Sequence, residues 1–303
     1  MALDTAVVGL GVVSKTHLAG LDANPRTRLA AVCDLDTARV RTAAGEYGVP
    51  GYDDVDELIA SEDLDWAHIC TPVQTHVELG GMFVEAGVPV LIEKPIAETT
   101  AGVDELRALS REHSVPVTSV QNHVFDPAMR KLTGKVESGT IGRVQGVDTI
   151  YVGETLPDEA NRGSWVFDLP GGELGEGSPH QVYVPLRFVD GLGEICGVGT
   201  QNYRNYEPPV EFDGAGVEAL DEEGRRLISI KMLANSATRD TLFVHGTKGE
   251  IQVDFVKRGV FVTTNKERYS AKAFATENAS SALQTVSNVL KTGVGFARRI
   301  AYR

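Results

Sequence analysis

Short apolar runs alternate with amphipathic stretches along the first 120 residues. The run Thr5-Ala6-Val7-Val8-Gly9 ends in glycines, and a helical pattern from Ser14 to Ala23 closes at Asn24-Pro25. Leu29 to Cys33 is a second apolar run, followed by Asp36 as a capping residue, a helix from Thr37 to Tyr47, and Gly48 as its stop. The alternation continues with a helix over Asp53 to Ser61, a strand over Trp66 to Thr71 and a helix over His76 to Ala86. A strand over Val88 to Ile92, a helix over Gly102 to His113 and a strand over Val115 to Val120 complete it. Near-continuous apolar strands separated by helices of about 10–15 residues imply βαβ units, a parallel sheet and right-handed crossovers.

Beyond about residue 140 the period changes. Val144 to Val152, Cys196 to Tyr203, Val217 to Leu220, Leu227 to Leu233, Thr241 to His245 and Ile251 to Phe255 read as strands. Their separators carry turn residues, as in Asp221-Glu222-Glu223-Gly224 and Gly246-Thr247-Lys248-Gly249, so hairpins and a mainly antiparallel sheet are expected. A helix over Asp126 to Glu137 joins the halves, and another is expected near His180 to Phe188. An amphipathic stretch from Ala282 to Arg303 would pack on the first domain, cover a neighbouring subunit or belong to a shortened chain. The expected division is a dinucleotide-binding domain over 1–122 and a substrate-binding and oligomerisation domain of α+β type over 123–303. The fold class is thus an α/β doubly wound sheet followed by an α+β domain.

The turn Gly9-Leu10-Gly11-Val12-Val13-Ser14 stands between the first strand and the first helix, where a Rossmann fingerprint belongs. The first glycine allows the tight turn, the second lets backbone approach a pyrophosphate, and the helix start supplies N–H groups and a favourable dipole. Ser14 replaces the third glycine and is small enough for helix–strand packing. Such a turn is a weak signal alone. Asp34, at the end of the second strand, strengthens it, because a carboxylate there binds ribose hydroxyls and repels a 2′-phosphate. NAD is therefore the expected cofactor, with Arg39 and Arg41 keeping NADP open. A helix-capping role is the alternative for Asp34.

Composition narrows the class of partner. At 303 residues the chain is long enough for two cores, and its net charge of −13 argues against nucleic acid, which needs clustered cations. No apolar stretch is long enough to span a membrane, and the N-terminus lacks a basic, apolar leader, so a cytoplasmic protein is expected. Cys33, Cys70 and Cys196 have no metal-ligand spacing, and no metal is expected.

Three further segments make the chain resemble the glucose–fructose oxidoreductase/inositol dehydrogenase (Gfo/Idh/MocA) family. They are Thr71-Pro72-Val73-Gln74-Thr75-His76, the tripeptide Glu93-Lys94-Pro95, and Trp165 followed by Gly171-Gly172-Glu173-Leu174-Gly175-Glu176-Gly177-Ser178-Pro179-His180. The resemblance implies an open-faced antiparallel sheet after the Rossmann domain. It also implies cofactor contacts from Gly9, Gly11, Val12, Val13, Asp34, Thr71, Pro72, His76, Glu93 and Lys94.

By the same resemblance, Lys94 stabilises developing alkoxide charge and His180 exchanges the proton, with Glu176 one helical turn away to orient it. An exposed surface lysine and a structural histidine are the plain alternatives. Tyr183 stands where the family commonly has an aspartate, and Pro179 suggests a helix starting near His180 that leaves Glu176 in a loop. Asn122, His123, Trp165 and Tyr183 are candidate substrate contacts, His123 equally a packing residue. The expected reaction interconverts a secondary hydroxyl and a carbonyl on a sugar, polyol or related cyclic compound. An NAD-assisted glycoside hydrolase or lyase, and a non-enzymatic NAD-binding sensor or scaffold, are the alternatives. The open sheet face is expected to be apolar and to drive assembly into a homodimer or homotetramer.

Overall fold

The computed structural model describes residues 2–153, 172–201, 212–234, 236–264 and 270–301. It comprises two compact units, Met1–Val120 forming the body of the first and the second beginning at Gln121.

In the first unit, strands β1 (Leu3–Val8), β2 (Thr27–Cys33), β3 (Gly51–Tyr52), β4 (Trp66–Ile69), β5 (Val90–Ile92) and β6 (Val117–Ser119) form one parallel sheet. Their order is β3-β2-β1-β4-β5-β6, the doubly wound arrangement of a Rossmann fold. Helices α1 (Ser14–Ala23), α2 (Thr37–Tyr47), α3 (Val55–Ser61), α4 (His76–Glu85) and α5 (Thr100–His113) connect the strands. Strand alternation divides the core between the two sheet faces. Val7 and Val32 pack with Leu18, Leu21, Val40 and Ala43, whereas Ala6, Val8, Ala31 and Ile69 pack with Leu58, Phe83 and Leu106. The two-residue β3 escapes the sequence pattern because it is too short to show a period.

In the second unit, α6 (Pro127–Glu137) leads into β7 (Val144–Val152). Later come α7 (Gly172–Tyr183), β8 (Ile195–Thr200), β9 (Gly214–Leu220), β10 (Leu227–Leu233), β11 (Arg239–Gly246), β12 (Gly249–Asp254), β13 (Gly259–Thr264) and α8 (Ala271–Ala301). The seven strands run β13-β12-β11-β7-β10-β9-β8, antiparallel except where β7 meets β10. Val147, Ile228, Ile230, Leu242, Val244, Ile251 and Val253 pack on one face with Met129 and Leu132 of α6 and Leu174 of α7.

Three expectations are corrected here. The helix expected over His180 to Phe188 runs instead over Gly172–Tyr183, with Pro179 inside it. Proline removes the N–H that would bond the Gly175 carbonyl. The Ser178 hydroxyl donates to that carbonyl at 2.8 Å instead, so the helix passes through and Glu176 lies within it, not in a preceding loop. The C-terminal helix begins at Ala271, well before Ala282. It lies on the edge strand β13 of its own unit, where the Gln284 amide pairs with both the N–H and the carbonyl of Val262, at 2.7 and 3.0 Å. Finally, the sheet face opposite the core is mixed, not wholly apolar: Asp148, Glu218, Lys231, His245 and Glu250 stand there beside Ile150, Val198, Leu227, Phe243 and Phe261. None of the described helices is long and apolar enough to cross a membrane.

Candidate functional site

The glycine turn is shaped by its surroundings. Gly9 sits at φ +87°, and a β-carbon there would come within 2.8 Å of the Cys70 and Thr71 backbone. Only glycine fits both the conformation and the close approach. Around the position of a β-carbon on Gly11 there is open space out to 4 Å. The start of α1 has no capping side chain and no acidic residue in its first turn, which suits an anion at its N–H groups. Ser14 is buried, and its hydroxyl donates to the Gly11 carbonyl at 2.7 Å, which is how serine takes the place of a third glycine. Val12 and Val13 are exposed beside the turn.

Asp34 does not cap α2; Asp36 does, accepting from the Ala38 and Arg39 N–H groups. The Asp34 carboxylate instead accepts from the Leu10 N–H at 2.6 Å and the Asp36 N–H at 2.8 Å, tying the glycine turn to the end of β2. Arg39 stands 3.8 Å from it. An acidic group beside an open glycine cradle and an uncapped helix start suits a dinucleotide.

Two further turns lie at the same edge of the sheet. Thr71-Pro72 follows β4, and the Thr75 hydroxyl donates to that of Thr71 at 2.8 Å. Glu93-Lys94-Pro95 follows β5, with a cis bond between Lys94 and Pro95. His76 joins these turns from below. It is only 1% exposed, and its ring nitrogens lie 2.9 Å from the carbonyl oxygens of Thr71 and Pro95. Burial pushes its pKa down against the pull of those carbonyls. Its position makes it a support for both turns and removes it from the surface a cofactor can touch.

Glu93 is buried and doubly anchored. One carboxylate oxygen lies 2.9 Å from His17 Nε2, and the other accepts the Lys94 N–H at 3.0 Å. Burial raises its pKa, but the bonds to His17 and Lys94 outweigh that and keep the carboxyl below its usual range. His17 Nδ1 in turn lies 3.0 Å from His68 Nδ1. The His68 pKa is lowered to about 4, chiefly by burial and then by His17, so this imidazole is neutral near pH 7. The sequence reading missed both histidines. They come from α1 and β4, and only the sheet order brings them to Glu93. The thiol of Cys33 is pushed up to about 12 by burial, and that of Cys70 is raised for the same reason, so neither is a nucleophile.

The second unit gathers four of the sequence candidates. His180 Nδ1 lies 2.6 Å from the Tyr183 hydroxyl, which donates to Asn122 Oδ1 at 3.2 Å and accepts the His123 backbone N–H at 3.3 Å. The His123 and His180 rings stack with centroids 4.4 Å apart and planes 14° from parallel. The Phe255 ring is tilted 38° from that of His123, with centroids 5.3 Å apart. Trp165 lies outside the described residues, as does the side chain of Glu176.

Residues 3–121 match the GFO_IDH_MocA model, an oxidoreductase family with an NAD-binding Rossmann fold. Inositol 2-dehydrogenase of Rhizobium meliloti (strain 1021) is 30% identical over 147 residues, which are 48% of this chain and 44% of that protein. D-apiose dehydrogenase of Paraburkholderia graminis is 29% identical over 138 residues, 45% of this chain and 37% of that protein. The chain thus spans less than half the length of these curated relatives. The WlbA dehydrogenase of Bordetella pertussis, solved with NADH and UDP-GlcNAcA, shares the fold. That comparison has a TM-score of 0.76 and 18% identity, covering 94% of this chain and 89% of the other. Residues 3–121 of this chain thus match the NAD-binding Rossmann domain of the Gfo/Idh/MocA oxidoreductase family.

Proposed function

We propose that the protein is an NAD-dependent dehydrogenase that interconverts a secondary hydroxyl and a carbonyl on a sugar, polyol or related cyclic compound. The observation that carries this reading is the convergence of three turns at one sheet edge: Gly9–Ser14, Thr71-Pro72 and Glu93-Lys94-Pro95. The printed names of the relatives, an inositol and an apiose dehydrogenase, support the substrate class.

The proposed division of labour gives cofactor binding to residues 1–122 and substrate binding to 123–303. Gly9, Gly11, Val12 and Val13 would hold the pyrophosphate, Asp34 the adenosine ribose, and Thr71, Pro72 and Glu93 the remainder of NAD. Asp34 favours NAD over NADP by charge, since a 2′-phosphate beside a carboxylate is repelled. Bound NAD supplies the acceptor for the hydride equivalent that leaves the carbinol carbon. Lys94, its backbone fixed by Glu93, would donate to the substrate oxygen and offset the developing alkoxide charge. His180 would take the hydroxyl proton as general base, an imidazole being suited to exchange near neutral pH. Glu176, Asn122, His123 and Trp165 are proposed to orient the base or the substrate.

Lys94→Ala tests the assignment. Titration with NAD should give nearly unchanged affinity, while NADH production over a panel of polyols and sugars should fall by about 10²-fold or more, as for a lost charge stabiliser. Unchanged turnover would sink the role of Lys94. Product formation without net NADH would replace dehydrogenation by NAD-assisted hydrolysis or elimination. We also propose a closed homo-oligomer, because α8 presents Leu283, Val286 and Leu290 to solvent at helical spacing.

A further inference from the structure

We propose that His17 is a positioning residue for Lys94: oriented by His68, it clamps the Glu93 carboxylate and with it the backbone of the lysine turn. This rests on the reading of Lys94 as the group that stabilises the alkoxide. The contact is buried, the His17 and Glu93 side chains being 9% and 10% exposed. A carboxylate taken that far from water needs partners that donate to it. The Lys94 N–H is one, at 3.0 Å from one carboxylate oxygen. His17 Nε2 is the other, at 2.9 Å from the second oxygen. The Glu93 carboxyl, held below its usual range, is ionised near neutral pH and can only accept, so His17 Nε2 carries a proton.

His68 holds that ring in place. Its Nδ1 lies 3.0 Å from His17 Nδ1, and a half-turn of the His17 ring would put carbon where both nitrogens stand and break both contacts. The tripeptide is thus gripped on either side of the lysine. His17 holds Glu93 before it, and His76, with Nδ1 2.9 Å from the Pro95 carbonyl oxygen, holds Pro95 after it. His17 also stands one turn along α1 from Ser14, so the helix that begins at the nucleotide turn bears directly on the lysine turn. A side chain that must meet a reacting oxygen gains most from a backbone fixed at both ends.

The test is backbone amide hydrogen exchange of the full chain, read residue by residue by NMR, in the wild type, His17→Leu and His17→Gln. Glutamine can place an amide N–H where His17 has Nε2–H, whereas leucine places none. His17→Leu should speed exchange of the Lys94 amide about tenfold or more, as for a lost hydrogen bond to a charged group. The Val90 amide, bonded to the Pro116 carbonyl at 3.0 Å, should keep its rate, and His17→Gln should restore that of Lys94. Equal acceleration at both amides would reduce His17 to a general stabiliser and overturn the proposal, as would an unaltered Lys94 rate. If His17→Leu does not melt cooperatively, two other measurements decide. Long-range ¹H–¹⁵N correlation of the wild type should show a proton on His17 Nε2, and His68→Leu should speed exchange at Lys94. A bare His17 Nε2, or an unchanged Lys94 rate in His68→Leu, overturns the clamp.

Turnover provides the second arm. His17→Leu should lower kcat by about tenfold or more, the cost of a slightly misplaced group, with NAD affinity nearly unchanged in a titration. His17→Gln should recover most of that loss. A loosened Lys94 amide with full kcat would overturn the positioning role. Selective loosening at Lys94 in a protein that turns over no panel member would uphold the clamp and discard the dehydrogenase reading.

Discussion

The two glycines of the nucleotide turn separate stability from binding. A β-carbon on Gly9 meets fixed backbone at 2.8 Å in a left-handed conformation, so Gly9→Ala should cost more than about 1–3 kcal/mol and lower the melting temperature. A β-carbon on Gly11 meets nothing within 4 Å. Gly11→Ala should therefore melt like the wild type yet bind NAD more weakly in a titration, because the methyl occupies space that the pyrophosphate needs. Equal NAD affinity in the wild type and this variant would remove Gly11 from the site. The motif itself was visible in the sequence. The different duties of its two glycines were not, because they depend on what the Thr71 turn does beside them.

Also at the residue scale, His245 lies 3.0 Å from Asp148 and 2.8 Å from Glu250 on the open sheet face. Hydrogen bonds that its ring N–H groups donate to Asp148 and Glu250 push its pKa up to about 10 against partial burial. The folded value exceeds the unfolded one of about 6.5, so the stabilisation is complete below about pH 6.5 and is lost as pH rises through about 10. His245→Gln should melt earlier than the wild type at pH 6, with the gap closing near pH 10. All three groups are more than a third exposed, so added salt should narrow the difference. A gap that is constant with pH would refute the charged pairing.

Among elements, α8 shows how a sheet edge is closed. An edge strand leaves backbone donors and acceptors unpaired, which invites association with another chain. Gln284 satisfies the N–H and carbonyl of Val262, and Asn288 donates to the Val260 carbonyl at 3.1 Å. Gln284→Ala should cost about 1–3 kcal/mol, the loss expected when partly buried backbone groups lose their partner. Chemical denaturation would check it, and an unchanged midpoint would count against the edge role. The sequence showed an amphipathic helix here but not its partner, because neither amide carries a pattern. Likewise Pro179 pointed to a helix start near His180. The bond from the Ser178 hydroxyl to the Gly175 carbonyl is a local compensation that sequence periodicity does not reveal.

At the scale of the whole molecule, the two units differ in how their sheets are covered. The parallel sheet is packed on both faces. The second unit has one covered face, an opposite face of mixed charged and apolar residues, and the exposed row Leu283, Val286 and Leu290 on α8. Light scattering should therefore report a closed dimer or tetramer. Replacing Leu283 and Leu290 together by glutamate should shift it toward monomer without unfolding; a strictly monomeric wild type would refute the assembly.

The sequence by itself determined what is local and periodic. Strand and helix alternation fixed the doubly wound class, the ends of α1 and α2 followed from their stop signals and cap, and the glycine turn with Asp34 indicated a dinucleotide. Glu93-Lys94-Pro95 and His180 carried the family resemblance because these motifs are contiguous in the chain. Tertiary structure decided everything that depends on groups distant in sequence. Sheet order carried His17 and His68 to Glu93, and packing of α7 against the turn at Asn122 gave His180 a tyrosine for its partner. The physical reason is that periodicity reports which face of an element is buried, whereas hydrogen-bond partners are chosen only when elements meet.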